Sequence, residues 1–380
     1  MSTPSVRWSL LSKAASKARS SHSMSITHDG LLIMYGGELE PRKPVDTGAD
    51  EISQALPGSL HTFNLKGNSQ SISKPWTTLS PHIQPSIPNS MTFPEPRVGT
   101  ITVWDKLTNS LYLWGGRGGA SMAPLDRASA GPWKARLSLE GVEWQRLVAI
   151  NEDESPEPRS YHGAVLFEGK LYIHAGCPES GRLSTLHSFD LSSNRWKSLA
   201  SAPDPGRGGT GLAAVQMPDQ GGTILRFGGF AGYELGADHV LDIYNIASDT
   251  WRSVAPAADP IHGYPGPRSV HGFVPCQPTS SSPAIAVLYH GEREPSSVGH
   301  AGAGTFWDDV WLLDYFHSKT PGEFQWRKAV AAEDGEHPEG RGWFPGASYV
   351  DEHGYTKVAM FGGLLTSNAR SEELWVLEID

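Results

Sequence analysis

Cysteine is nearly absent from this chain of 380 residues: Cys177 and Cys276 are the only two. Two thiols so far apart in sequence exclude a disulfide scaffold and a zinc knuckle, and both are expected as reduced thiols. Long apolar runs are missing as well. Nothing approaches the ~20 apolar residues of a membrane helix, and the short apolar patch at 8–11, with Lys13 and Lys17 close behind, is no signal-peptide core. No asparagine stands in an N-x-Ser/Thr pattern. A cytoplasmic protein with no membrane partner is the expectation. Positive charge is in deficit, with 31 Lys and Arg against 41 Asp and Glu and a formal charge of −10. Nucleic acid is excluded as a partner on that ground, because a phosphate-binding surface needs clustered cations to release counterions.

What the sequence has is repetition. Apolar runs ending in glycine recur six times: LLIMYGG at Gly37, LYLWGG at Gly116, LYIHAG at Gly176, ILRFGG at Gly229, AVLYHG at Gly291 and VAMFGG at Gly363. Each is followed by a second apolar run (LHTFNL, ARLSL, LHSFDL, VLDIYNI, VWLLDY, ELWVLEI) and, in five units, by a tryptophan: Trp76, Trp144, Trp196, Trp251 and Trp326. Trp8 supplies the sixth. A circular array requires this if the N-terminal strand completes the last blade by pairing with residues 374–379. The pattern predicts an all-β fold, a six-bladed β-propeller forming one domain over 1–380. A period of ~50 residues resembles kelch repeats more than the ~40–45 of WD40 repeats. Insertions at 38–60, 117–132 and 292–309 each follow a strand-ending glycine, so they open on one face, and long loops in a compact fold are where function concentrates.

An arginine precedes the first strand of every unit: Arg19, Arg97, Arg159, Arg207, Arg268 and Arg341. Inner strands line the channel, so these residues are expected to converge on it, Arg19 least securely because its setting is basic and lacks proline. Guanidinium forks bind carboxylate, sulfate or phosphate, which makes the array a candidate for holding a small anion. The alternative is a structural role, each arginine holding carbonyls of the neighbouring blade. His22, His162 and His271 stand three residues after ring arginines and read as strand-face residues.

The loop at 291–304, GEREPSSVGHAGAG, gathers Glu292, Glu294, Ser296 and His300. Carboxylate with imidazole suits a divalent ion such as Fe(II), Mn or Zn, and the glycines permit the loop to fold its ends together. In a straight strand, ligands eight residues apart would lie ~27 Å from one another. The alternative is a solvated acidic loop.

The segments GGELEPRKPVD, PEPRSYHGAV, GRGGTGL and GRGW, with coverage from Trp8 to Ile379, resemble the plant nitrile-specifier and epithiospecifier kelch proteins, which redirect the breakdown of activated glucosinolates. The resemblance implies Fe(II) held by a Glu, an Asp four residues on and a His four beyond. Here Glu292 and His300 keep the outer spacing, Ser296 replaces the Asp, and Glu294 is the acid available to take its place. It also implies substrate contacts from two arginines and a tryptophan, matched to Arg97, Arg159 and Trp343. The reading that follows is a nitrile-specifier-like propeller with a channel-mouth metal site, handling a small anionic, sulfur-containing substrate in a lyase-like reaction. The competing reading is a kelch interaction module without catalysis, with a protein partner on the loop face. A copper oxidase of the galactose oxidase type is disfavoured, since neither cysteine has an evident tyrosine to crosslink.

Overall fold

In the computed structural model, residues 4–49, 54–66, 76–82, 92–317, 322–332 and 335–379 are described. Part of the 38–60 insertion, 50–53, therefore lies outside the described residues. The strands alternate in facing, so apolar residues at every position of a strand bury both surfaces of its sheet. Leu31–Tyr35 shows this. Leu32 and Met34 pack with residues 359–376, while Ile33 and Tyr35 pack with Leu111, Leu113 and Trp133 on the other side. A sheet hydrophobic on both faces is stable only between two others, and a ring supplies this for every member.

Six four-stranded antiparallel units result. Their inner strands are Ser23–Ile26, Ile101–Asp105, Gly163–Phe167, Gly211–Met217, Gly272–Pro275 and Gly346–Val350. Each inner strand neighbours the next, and the last neighbours the first. The six hydrophobic clusters lie one between each adjacent pair of blades.

Closure is as the tryptophan count predicts. Ser5–Lys13 forms the outer strand of blade six, antiparallel to Glu373–Ile379 with Trp8 opposite Leu377. It also runs briefly parallel to the outer strand of blade five, Ser5 opposite Val330. The outer-strand tryptophans share one role. Each packs on an aromatic ring at the end of the preceding blade's second strand: Trp76 on Phe361, Trp144 on Tyr35, Trp196 on Trp114, Trp251 on His174, Trp326 on Phe227 and Trp8 on Tyr289, with centroids 4.8–6.2 Å apart.

The glycines are explained by the same inter-blade geometry. The strand-ending glycine of each unit, the second of a pair in four of them, donates its N–H to the carbonyl of the ring arginine in the next blade, from Gly37 to Arg97 round to Gly363 to Arg19, at 2.8–2.9 Å. The first glycine of blade four, Gly228, has φ +64°, and a Cβ there would stand 2.4 Å from the Arg268 carbonyl oxygen. Two backbones approach too closely for any side chain between them.

Candidate functional site

Three positions, each repeated in every blade, build the channel. The first is the ring arginine itself. In all six, Nε donates to the carbonyl two residues earlier and Nη1 to the carbonyl that closes the blade's own second strand: Gly36, Gly115, Ala175, Gly228, His290 and Gly362. Remaining donors go to Ser129 O from Arg97, Thr185 from Arg159, Asp309 from Arg268, and Ser371 and Glu373 from Arg341. All six are at most 7% exposed. The expectation that Arg97, Arg159, Arg207, Arg268 and Arg341 point into the channel is therefore corrected. A buried guanidinium and a buried carbonyl each need a partner, and these supply one another inside the blade. The acceptors belong to the arginine's own blade, not its neighbour.

The second position lies two residues after each arginine: Ser21, Gly99, Tyr161, Gly209, Val270 and Trp343. Each has φ between 44° and 61°. Their amides close a circle, Ser21 donating to Trp343, Trp343 to Val270, Val270 to Gly209, Gly209 to Tyr161, Tyr161 to Gly99 and Gly99 to Ser21, at 2.7–3.0 Å. Left-handed backbone at tryptophan and β-branched valine is unusual, and the circle holds it in place. The ring separates two cavities. One of about 380 Å³ is lined by the inner strands, the other of about 530 Å³ by the loops of the mouth. The Tyr161 and Trp343 rings, edge to face at 5.3 Å, stand at the boundary.

The third position follows each unit's strand-ending glycine: Glu38, Arg117, Cys177, Phe230, Glu292 and Leu364. All six line the mouth cavity. They are held by short bridges to the arginine side of their own blade, such as Ser20 with Glu38, Ser160 with Cys177 and Ser269 with Glu292. Structure thus repeats while chemistry does not. Arg182, Arg370, Ser296 and His300 complete the wall.

Arg117 donates to Ser160 Oγ at 2.7 Å and lies over the Tyr161 ring, with no further hydrogen-bond partner among the described residues. Arg182 lies over Phe230, its centre 4.7 Å from the ring. Arg370 is 3.8 Å from Glu38, and its buried Nε has no partner among the described residues. Glu292 is 5% exposed, and burial pushes its carboxyl up to about 7 against a 3.5 Å contact from the Trp343 indole. Behind it Glu234, 8% exposed, is raised to about 8 by burial, which outweighs the opposing pull of the Ser269 hydroxyl and Arg182. The thiol of Cys177 is also raised by burial.

Of the residues picked out in the 291–304 loop, Glu292, Ser296 and His300 reach the cavity, and His300 stands edge-on to Trp343 at 6.1 Å. Partial burial and the field of Arg42, Arg117 and Arg182 push the His300 imidazole below its ordinary range. Glu294 is exposed, in Glu292–Glu294 opposite Thr305. Among the described residues no three His, Cys, Asp or Glu side chains come together as a metal-holding group. With a serine at the middle position, Glu292 and His300 have no third anionic or imidazole donor, and the donor set does not fit Fe(II). Arg117, Arg182 and Arg370 went unrecognised in the sequence, although the first opens an insertion on the face already singled out. His22, His162 and His271 are buried between blades, as expected of strand-face residues.

The KLHDC2/KLHL20/DRC7 Kelch-repeats domain family matches residues 59–279. The chain is similar to the N-(sulfonatooxy)prop-2-enimidothioate sulfolyase of Thlaspi arvense, 24% identical over 95% of this chain and 93% of that protein. It is also similar to Tip elongation aberrant protein 3 of Schizosaccharomyces pombe, 26% identical over 49% of this chain and 16% of that protein. Kelch-like protein 7 of Rattus norvegicus is 34% identical over 25% of this chain and 15% of its own length. The solved structure of YjhT covers 98% of this chain and is itself covered completely, with a TM-score of 0.59 at 15% identity, a likeness of fold.

Proposed function

This chain belongs to the KLHDC2/KLHL20/DRC7 kelch-repeat family, and from that premise we propose that its channel mouth binds a small anionic, sulfur-bearing molecule. One observation carries the reading: a single cavity of about 530 Å³ is lined by Arg117, Arg182 and Arg370 together with Tyr161 and Trp343. Its volume is that of a small-molecule site, apolar walls with a few convergent polar groups. Unlike the ring arginines, which do not line this cavity, Arg117 and Arg182 present unspent donors to it, and a guanidinium with unspent donors in a partly desolvated cavity is a strong receptor for a sulfate or sulfonate oxygen. The aromatic rings offer faces to the apolar remainder of the ligand. Similarity to a protein named as a sulfolyase along nearly its whole length supports a sulfate-bearing ligand. No step is routed through iron, because the residues present do not make its site.

Calorimetric titration with methyl sulfate tests the reading. The expected result is millimolar or tighter binding by the wild type and about tenfold weaker binding, about 1.4 kcal/mol, in Arg117→Ala and in Arg182→Ala. Binding that is undetectable, or equal in all three proteins, overturns it. The interaction-module reading then takes precedence, favoured by exposed Tyr233 (62%) and Val298 (66%) on loops of the same face.

A further inference from the structure

The mouth cavity is not uniformly positive. Blade order around the ring sets Arg117 of blade two opposite Glu292 of blade five, three blades away, with Arg182 on blade three; Glu234 of blade four stands behind the wall, near enough to Glu292 for their charges to repel. The basic group at Arg370 is partly answered by Glu38 at 3.8 Å. Glu234 is buried, and only the Ser269 hydroxyl and the charge of Arg182 favour its ionised form, less than burial opposes it. Glu292 has only the Trp343 indole, at the 3.5 Å limit of a hydrogen bond. A buried carboxylate needs hydrogen-bond donors or a cation beside it, and Glu292, on the cavity wall, has little of either. Burial raises both carboxyls.

Resting on the anion-binding reading above, we infer that the ligand is a small zwitterion, its oxyanion held by Arg117 and Arg182 and its ammonium group by Glu292 with Glu234 behind it. A simple anion leaves Glu292 with the Trp343 indole alone and faces the charge of both carboxyls when they ionise. An ammonium group with three donors supplies what they lack. The same division of charge disfavours a ligand bearing two anionic ends, since one of them would lie against Glu292.

The probes are taurine, which carries an ammonium and a sulfonate, and isethionate, which has a hydroxyl in place of the ammonium. The wild type is expected to bind taurine at least tenfold more tightly. The double variant Glu234→Gln, Glu292→Gln keeps the side-chain volumes and is expected to lose that preference through weaker taurine binding, while binding isethionate at least as tightly as the wild type. Arg117→Ala weakens both. Equal wild-type affinity for the two probes overturns the zwitterion and leaves the anion-binding reading standing. Failure to bind either overturns both. A preference that survives in a folded double variant, checked by its circular dichroism melt, also overturns the assignment to these carboxyls, and the wild-type comparison decides the matter if that variant does not fold.

Discussion

Two kinds of buried titratable side chain act on this molecule in opposite directions. His162 and His271 have both ring nitrogens unpartnered among the described residues, and burial, reinforced by Arg159 and Arg268, lowers each to about 3. The unfolded chain, with imidazoles near ~6.5, binds more protons below that value, so stability is lost as pH falls through the window. Glu234 and Glu292 are raised by burial to about 8 and about 7. For them the native state binds more protons above the unfolded value of ~4.3, and stability is lost as pH rises. Above about pH 7.5 the imidazoles are neutral folded or unfolded, and the carboxyls remain to act. Urea unfolding is expected to show lower stability at about pH 8.5 than at about pH 7.5, with Glu234→Gln flattening that limb. An identical slope in the variant would mean that this carboxyl is not buried as the structure has it. At this scale the sequence misled over the arginines. Arg97 and Arg117 are the same residue type twenty positions apart, but only the second has donors left over, and the carbonyls that occupy the first are met only in the folded blade.

At the scale of the element, the glycine pair is the feature most firmly tied to a cause. Gly228 combines a left-handed φ with a backbone oxygen 2.4 Å from where a Cβ would be. Gly228→Ala is expected to destabilise the protein by about 2 kcal/mol or more, from left-handed strain plus the clash, read as a lower denaturant midpoint at unchanged m. A variant as stable as wild type would show that the blade interface can open there without loss. The strands were legible because an apolar run ended at glycine six times over, whatever the length of the loop between. The mouth loops were legible only as places: the 291–304 loop brings Glu292, Ser296 and His300 to one cavity while Glu294 turns outward.

For the whole molecule, closure depends on one strand that is remote in sequence from the blade it completes. Trp8 is 6% exposed, packed against Tyr289 and His290. Trp8→Ala is expected to cost about 3–5 kcal/mol, the range for a large aromatic lost from a core, and to lower the cooperativity of thermal unfolding. Deleting residues 4–13 uncovers the edge of Glu373–Ile379, and an unpaired apolar edge recruits other chains. Light scattering should show oligomers. A deletion variant that stays monomeric with the wild-type melting temperature would refute closure through this strand.

Periodicity alone determined the six blades, the glycine contacts and the sixth tryptophan, because each repeat must solve one packing problem, burying two apolar faces between neighbours, and the same solution leaves the same residues. What the residues at the channel do was decided by tertiary structure. Glu38, Arg117, Cys177, Phe230, Glu292 and Leu364 occupy one repeated position with six different side chains, so no pattern marks them until the ring brings them around one cavity. The conserved-looking arginines, by contrast, form a pattern because they serve the scaffold. Repetition in sequence records what every blade needs, whereas a binding site needs its walls to differ, and those differences acquire meaning only across the channel.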